Sequence, residues 1–410
     1  MALGKRAREA YDRRMRTAWQ RLGGTLVTAG AVLLGAGCAS APEAPPETYQ
    51  RFFADAAFAA PARPVDATEV FALSPAMKRY LDIEIAPLLR QMGRQHGLVE
   101  ALHSRAHLRL EYDNAVTRNA AEAFEVRAGN CLSLVVMTAA LAKSLDLPIS
   151  YQALVGQDSW SRSGALTFIN GHVNIAIARR LIDRVEGIET GAVRLSFGSP
   201  GAGRGAALRN VDERTIVAMF MNNRAAEAVA RGRLDDAYAW ARAAVLEDGQ
   251  FVSAYNTLGV IYQRRGAHVL AERVFRAALE VEPRNAHVMG NLVLSLEHQG
   301  RAAEAQTMAA ELRRLQPHPP FAFFREGQQA LREGNFRRAA QLFEREIDRA
   351  PDYHEFHFYL AVALLQMGET RSASRHLEKA LASSTTREHS ALYSAKLQKL
   401  RAARAPPAGS

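Results

Sequence analysis

Two residues of this chain have the side-chain types and the sequence surroundings that thiol chemistry needs. In the stretch AGNCLSLVV, Gly129 and Asn130 suit a turn that leads into an apolar helix, so Cys131 lies in the first helical turn. Backbone N–H groups and the helix dipole favour an anion at that position, and we expect the pKa of the Cys131 thiol to fall. A thiolate activated in this way can attack an acyl carbon when a base stands beside it.

The candidate base is His172, in the stretch FINGHVNIAIA. The alternation predicts a strand in which Val173 and Ile175 share one face, whereas His172 and Asn174 share the other. A cysteine at a helix start and a histidine presented by a strand form the arrangement that base-assisted thiol attack requires. The alternative for Cys131 is a buried, unreactive thiol, because cysteine is among the residue types most often buried.

The elements that must position these residues form two successive groups. A helix is predicted to begin at Ser74, a suitable N-cap before Pro75, and further helices are predicted over about 97–110 and 115–124. Strand patterns follow the Cys131 helix in ISYQALV, ALTFINGHVNIAIA and GAVRLSF. Helices followed by strands indicate an α+β domain.

The stretches AFEVRAGNCLSLVVMTAALAKSLDLP and GHVNIAI together resemble the transglutaminase-like, papain-related cysteine fold, over roughly residues 73–210. The resemblance implies that Cys131 is the nucleophile and His172 the general base, with an aspartate on the next strand to orient the imidazole. The stretch RLSF has Ser196 where that aspartate is expected, and Asp183 in RRLIDRV is the other candidate. Loss of the orienting charge can cost a triad enzyme several powers of ten in rate.

The second half of the chain is periodic. Glycine recurs every 34 residues, alanine follows each of these glycines by five residues, and proline ends three successive units. The positions are Gly232, Gly266, Gly300, Gly334 and Gly368, then Ala237, Ala271, Ala305, Ala339 and Ala373, then Pro283, Pro317 and Pro351. This helix-turn-helix unit resembles the tetratricopeptide repeat, whose arrays bind extended peptides or partner proteins in a groove. Five units fit, although the first has Gly249 where proline is expected.

The first residues have the layout of an export signal. A basic start precedes the apolar run GGTLVTAGAVLLGAGC, which is too short to span a bilayer comfortably. Its end resembles a bacterial lipobox, which implies cleavage before Cys38 and acylation of that cysteine. Ala39 resembles the residues that let lipoproteins pass to the outer membrane. An uncleaved N-terminal anchor is the alternative.

We therefore predict an α+β transglutaminase-like domain followed by an all-α tetratricopeptide-repeat solenoid. The predicted parts are a lipoprotein signal peptide at 1–37, an Ala/Pro-rich tether at 38–67, the transglutaminase-like domain at 68–215, five repeats at 216–387, a capping helix at 388–404 and a disordered tail at 405–410.

The sequence predicts an outer-membrane lipoprotein facing the periplasm. Its cysteine domain would act as a peptidase, an amidase or an amide cross-linker, and its repeats would bind protein or peptide. The alternative function is that of a non-catalytic repeat scaffold with a degenerate cysteine domain. No cofactor or metal is predicted, since HEFH at 354–357 lacks the spacing of a two-histidine ligand motif. No nucleic-acid partner is predicted, because half of the net charge of +10 lies in the leader and export removes the nucleic acid.

Overall fold

A computed structural model describes residues 46–104, 107–155, 159–163, 166–170, 172–178, 191–197, 207–384 and 386–402. Asp183 and Cys38 lie outside these ranges. No helix within them is long and apolar enough to cross a membrane.

The first part of the described chain contains short helices. They are α1 (Pro46–Gln50), α2 (Pro75–Arg79), α3 (Ala86–Met92), α4 (Arg94–His103), α5 (Ala120–Val126) and α6 (Cys131–Ser144). Ser74 caps α2 by accepting a hydrogen bond from the Met77 N–H. The helix predicted from Ser74 is interrupted before α3, where Pro87 has no N–H to continue the helical hydrogen bonds.

Eight short strands alternate with and follow these helices. They are β1 (Glu111–Tyr112), β2 (Ala128–Gly129), β3 (Ile149–Val155), β4 (Ser159–Ser163), β5 (Leu166–Asn170), β6 (Val173–Ile177), β7 (Val193–Ser196) and β8 (Ala207–Val211). Four of them form an antiparallel sheet in the order β7-β6-β3-β8. The stretch predicted as one long strand divides into β5, which pairs with β4, and β6, which pairs with β3 and β7.

The core of this α/β part lies between α6 and the sheet. Every residue of α6 from Cys131 to Ala142 is buried, as expected of a helix that is apolar on nearly all sides. The α6 helix contacts α5, β3 and β6, and Val173, Ile175 and Ile177 on β6 are fully buried. The helix that begins at Cys131 is therefore the central element of the domain.

The remainder of the chain, which we call the repeat region, consists of helix pairs and a last helix. The helices are α7 (Glu213–Ala230), α8 (Leu234–Glu247), α9 (Val252–Arg264), α10 (His268–Val281), α11 (Ala286–His298), α12 (Ala302–Leu315), α13 (Ala322–Arg332), α14 (Phe336–Arg349), α15 (His354–Gln366), α16 (Thr370–Ala382) and α17 (Arg387–Ala402). The five glycines with 34-residue spacing all lie between paired helices with φ from 73° to 80°. Glycine adopts this left-handed conformation without steric cost, which explains its recurrence.

Close helix approach accounts for two further glycines. A Cβ at Gly259 would overlap the ring of Phe275, and a Cβ at Gly327 would lie 2.6 Å from the Phe343 ring. Each glycine thus allows an aromatic ring of the second helix of its repeat to reach the backbone of the first helix.

Residues 46–62, which the sequence predicts as part of a tether, lie against the repeat region instead. Tyr49 and Phe52 are buried, and the Phe58 ring stacks on Tyr238 of α8 with the ring centroids 4.0 Å apart. Composition indicated a tether because alanine and proline are abundant there. The aromatic side chains between the alanines fix the position of the segment.

Candidate functional site

The turn before Cys131 is rigidly held. Asn130 caps α6, with its Oδ1 accepting hydrogen bonds from the Ser133 N–H at 2.8 Å and from the Ser133 hydroxyl at 2.9 Å. A Cβ at Gly129 would lie 2.6 Å from the Ser133 Cβ, so the turn needs glycine there. The Gly-Asn pair therefore places Cys131 in the first turn of α6, as the sequence predicts.

The electrostatics of the thiol differ from the prediction. Burial raises the pKa of Cys131, although backbone hydrogen bonds from Val173, Leu132 and Cys131 itself act in the opposite direction. The expectation of a lowered pKa is wrong for this structure, because the thiol is 8% exposed and desolvation of the thiolate outweighs the backbone N–H groups. The resting thiol is protonated at neutral pH.

His172 precedes β6 and is 9% exposed. Its Nε2 lies 2.9 Å from Ser196 Oγ on β7. Burial lowers the pKa of His172, and the neighbouring Asn174 side chain opposes this shift. The imidazole is therefore neutral at pH 7, and the structure brings Ser196, not a carboxylate, to it within the described ranges.

The thiol and the imidazole approach the same point of the sheet. The α6 helix, which begins at Cys131, contacts β6, which begins directly after His172. Among the hydrogen bonds between described residues, the His172 ring bonds to Ser196 and not to Cys131. The arrangement is a neutral thiol and a neutral imidazole on adjoining elements, each held by a separate partner.

Tyr112 is a neighbour of the thiol that the sequence analysis missed. It pairs with Gly129 through the parallel β1–β2 ladder. Desolvation raises the pKa of Tyr112, although 37% of the residue is exposed, and an ionised Cys131 raises it further. A two-residue strand paired over 17 positions has no periodicity, so the sequence carried no signal for this contact.

A hydrogen-bond chain links the Cys131 turn to the first helix of the repeat region. The Asn130 side-chain amide donates to Thr117 Oγ1 at 2.9 Å. On α7, Glu227 accepts from the Thr117 N–H at 2.6 Å, and Arg224 donates to the Thr117 carbonyl at 2.9 Å. Both main-chain groups of Thr117 are thus held by α7, and its hydroxyl holds the cap of α6.

A second link joins the opposite ends of the same two helices. Glu213, the first residue of α7, accepts hydrogen bonds from Lys143 near the end of α6 at 2.7 Å and from the Tyr151 hydroxyl at 2.9 Å. The two links show that α7 runs antiparallel to α6 along its length. The first helix of the repeat region therefore also braces the α/β part.

The repeat region presents polar side chains on the first helices of its pairs. Asn291 on α11 donates to Asn256 Oδ1 on α9 at 2.8 Å, and Gln263 on α9 donates to the Asn291 carbonyl at 2.7 Å. A cavity of about 470 Å³ lies along α13, lined by Ala322, Arg325, Glu326, Gln328, Gln329 and Arg332. These side chains supply donors, acceptors and positive charge to a solvent-facing groove.

No group of three or more His, Cys, Asp or Glu side chains that could hold a metal ion occurs within the described ranges. His354 and His357 on α15 are both buried, and they bond to Tyr393 and to the Pro351 carbonyl respectively. These histidines therefore belong to the packing of the last repeats.

Comparison with known proteins identifies the repeats. Residues 256–319 and 330–398 match family models described as the tetratricopeptide repeat. No curated protein matches the chain.

Several solved structures are similar to part of this chain. YrrB, a TPR protein with an unusual peptide-binding site, is 21% identical with a TM-score of 0.24, covering 44% of this chain and 92% of its own. The pilF protein of Pseudomonas aeruginosa is 22% identical with a TM-score of 0.28, covering 47% and 88%. MamA is 16% identical with a TM-score of 0.24, covering 48% and 99%.

The two family matches fall on helix pairs that repeat every 34 residues with a glycine between their members. The C-terminal region is therefore an all-helical tetratricopeptide-repeat solenoid. Solenoids of this kind are protein- and peptide-binding modules, and the α/β part with its sheet lies before it in the chain.

Proposed function

We propose that the chain binds an extended peptide or protein segment through its tetratricopeptide repeats. The observation that carries this proposal is the open depression along α13, the first helix of the fourth repeat, where arginine and glutamine side chains face solvent. Guanidinium and amide groups donate hydrogen bonds to main-chain carbonyls, which occur along any peptide, and to the carboxylates of acidic residues and of the C-terminus.

A peptide-display selection on the full chain tests this function. Arg325 and Arg332 lie in the groove, whereas Arg337 and Arg338 are exposed on the next helix. We expect selected peptides to lose at least about tenfold in affinity, ~1.4 kcal/mol, when Arg325 and Arg332 are both changed to Glu. The matched change of Arg337 and Arg338 to Glu should leave affinity within about twofold. Equal losses in both variants would show only a charge effect and would contradict the groove assignment.

A second candidate function is cysteine-dependent acyl transfer in a transglutaminase-like α/β domain. It is supported by the packing of α6, whose first residue is Cys131, against β6, which begins directly after His172. In this reaction the sulfur attacks an acyl carbon while His172 takes the thiol proton. His172 then gives that proton to the leaving amine as the C–N bond breaks, and water or an amine later attacks the thioester.

The neutral resting pair fits this sequence of proton transfers, because the base must be unprotonated before it accepts the thiol proton. Ser196 takes the third position through its hydrogen bond to His172 Nε2. Asp183 stays a candidate for the same role and lies outside the described residues. Without a carboxylate the imidazolium is less stabilised, so we expect slow chemistry.

The test compares two reactions of Cys131 in a Cys38→Ser chain. Acylation by p-nitrophenyl acetate at pH 7 needs a base, and we expect His172→Ala to slow it by about 10²-fold or more. Alkylation by iodoacetamide at pH 10 uses the thiolate directly and should change little. Ser196→Asp should accelerate acylation. Acylation at equal rates with and without His172 would exclude the enzyme and leave the repeat scaffold.

We further propose that the chain is exported and acylated at Cys38, which would anchor it to the outer membrane facing the periplasm. The support is the basic start and the apolar run that ends at this cysteine. Metabolic labelling with an alkyne fatty acid in a Gram-negative host should tag the wild-type chain and not the Cys38→Ser variant. Equal labelling of both would contradict the proposal.

A further inference from the structure

Residues 49–62, which we call the strap, lie on the first two repeats in the manner of a bound peptide. Four side chains at three-residue spacing make the anchoring contacts, namely Tyr49, Phe52, Asp55 and Phe58. Most of the strap between Asp55 and Ala60 is exposed on its outer side. The strap thus lies on the repeat surface, and among its anchors only Tyr49 and Phe52 are buried.

The aromatic anchors fit aromatic partners on the repeats. The Phe52 ring packs edge-on against Tyr255 of α9, with the centroids 5.7 Å apart. The Phe58 ring is parallel to Tyr238 within 3° and lies 4.9 Å from the Arg265 guanidinium. Such aromatic and cation–π contacts stabilise the docked strap beyond the burial of apolar area alone.

The acidic anchor has a site of its own. Asp55 accepts hydrogen bonds from the Tyr238 hydroxyl at 2.7 Å and from Arg242 Nε at 2.9 Å, both on α8. An asparagine would keep some of these bonds and lose the charge. The position therefore selects a carboxylate.

The repeats also bind the main chain of the strap, independently of its side chains. Tyr262 donates to the Phe52 carbonyl at 2.7 Å, and the Ala54 N–H donates to the Tyr238 hydroxyl at 2.9 Å. Four further main-chain groups bond to side chains of α8, the α9–α10 turn and α10: the Arg51 carbonyl to Arg273, the Ala57 carbonyl to Arg265, the Ala59 N–H to Asp235 and the Ala62 N–H to Asp236. These bonds hold a main chain that is helical at Pro46–Gln50 and makes a 3-10 turn at Asp55–Ala57, so the repeats bind the strap in a turned conformation.

Gly249, the residue that departs from the repeat pattern, belongs to this site. A Cβ at position 249 would overlap the hydroxyl of Tyr49. The proline expected there carries a Cβ, so the first repeat could not accept Tyr49 with the usual residue. The departure makes room for the first anchor of the strap.

From these contacts we infer that the surface of α8, α9 and α10 is a binding site for short helical and turned segments with an aromatic, aromatic, acidic and aromatic residue at three-residue spacing. The strap occupies this site in cis, and a partner segment with the same pattern displaces it. This inference rests on the peptide-binding function proposed above and adds a second site to the groove on α13. A tethered strap competes at an effective concentration in the millimolar range, so the resting site is closed to weak partners.

The test uses the full chain and a fluorescent peptide carrying residues 46–62. In a Phe52→Ala/Phe58→Ala chain the strap lacks two anchors, and we expect the peptide to bind this variant at least tenfold more tightly than the wild-type chain. Adding Tyr238→Ala to that variant should remove the gain. A control peptide with the same two Phe→Ala changes should bind neither chain.

Hydrogen exchange at the Ala54, Ala59 and Ala62 amides gives the second measurement. We expect protection in the wild-type chain, loss of protection in the two-Phe variant, and loss of protection in the wild-type chain at saturating peptide. Amides that stay protected in the variant would overturn the inference, because the anchors would then not hold the strap. Equal peptide affinity for both chains would also overturn it while leaving peptide binding at α13 intact. Selected peptides that fail at α13 would instead contradict the proposed function.

Discussion

The α/β part and the solenoid differ in how far along the chain their essential contacts reach. In the solenoid, each helix packs mainly on helices next to it in sequence, such as α15 on α16 and α10 on α11. In the α/β part, β3 pairs with β8 across more than 50 residues, and Thr117 is held by Glu227 across 110 residues. The solenoid can therefore lose one repeat locally, whereas the Cys131 site depends on distant elements at once.

The first prediction distinguishes the stability of the repeats from the accessibility of Cys131 in the α/β part. Phe343 is fully buried and contacts Gly327, and its ring is tilted by 57° to that of Phe324 with the centroids 5.7 Å apart. We expect Phe343→Ala to lower the free energy of unfolding of the last repeats by about 3–5 kcal/mol. The alkylation rate of Cys131 should stay unchanged, because nearest-neighbour packing confines the damage. Thermal unfolding and iodoacetamide labelling measure the two quantities, and a parallel rise in alkylation would show that the regions unfold together.

The second prediction concerns the hydrogen bonds that join Thr117 to α7. Glu227→Ala leaves the Thr117 N–H without its acceptor and loosens the hydrogen bond from Thr117 to the α6 cap. An unsatisfied buried donor costs about 1–3 kcal/mol, and we expect faster alkylation of Cys131 through local opening of the turn.

Two matched variants sharpen this prediction. Glu227→Gln retains an oxygen acceptor and should alkylate close to the wild-type rate. Glu213→Ala breaks the link at the far end of α7 and should leave the Cys131 turn unaffected. If Glu213→Ala has the same effect as Glu227→Ala, α7 acts by general packing and not through Thr117.

A smaller effect is expected for Gly249→Ala. Replacing glycine with alanine at a compatible helical or loop position usually stabilises by about 0.4–1 kcal/mol. At position 249 the sign should reverse, because the new Cβ displaces Tyr49. Gly290→Ala is the control, since the nearest atom to its Cβ would be 3.7 Å away. In a Tyr49→Ala background, Gly249→Ala should no longer lower the free energy of unfolding. An equal loss of stability in both backgrounds would contradict the contact between Gly249 and Tyr49.

A further prediction is a pH dependence of the stability of the last repeats. Burial lowers the pKa of His354 to about 4 and that of His376 to about 4, from an ordinary value near 6.5. Because the folded pKa values are depressed, the unfolded chain binds more protons between pH 6.5 and 4, and stability falls as pH falls through that window. Each histidine contributes a slope of at most about 1.4 kcal/mol per pH unit.

The matched measurement compares urea midpoints of the wild-type chain and of His354→Gln at pH 7 and pH 5. We expect a smaller drop in the variant. An identical drop in both chains would show that other groups titrate in this window.

The sequence revealed the solenoid well because its signals are local. Glycine at 34-residue spacing marks a left-handed turn wherever it occurs, and all five of these glycines have positive φ. The start of α6 at Cys131 was equally accessible, since the Gly-Asn turn and the apolar run stand next to each other.

The site could be predicted only in part, for physical reasons that involve distance and burial. A helix start favours a thiolate, but the pKa of Cys131 also depends on how completely the surrounding elements exclude water, and that is a property of packing. The contacts of Tyr112 with the Cys131 turn and of Thr117 with α7 join residues that no periodicity relates. The docking of the strap was missed because Ala/Pro-rich composition outweighed four anchors spaced three residues apart.

The strap also affects whether the solenoid self-associates in solution. Phe52 and Phe58 cover Tyr238 and Tyr255, which are each 4% exposed in its presence. A chain truncated at residue 68 would present these rings to water as a continuous aromatic strip. Exposed strips of this kind promote self-association. The strap therefore protects the solenoid from aggregation, and a shortened form of the protein should begin before Tyr49.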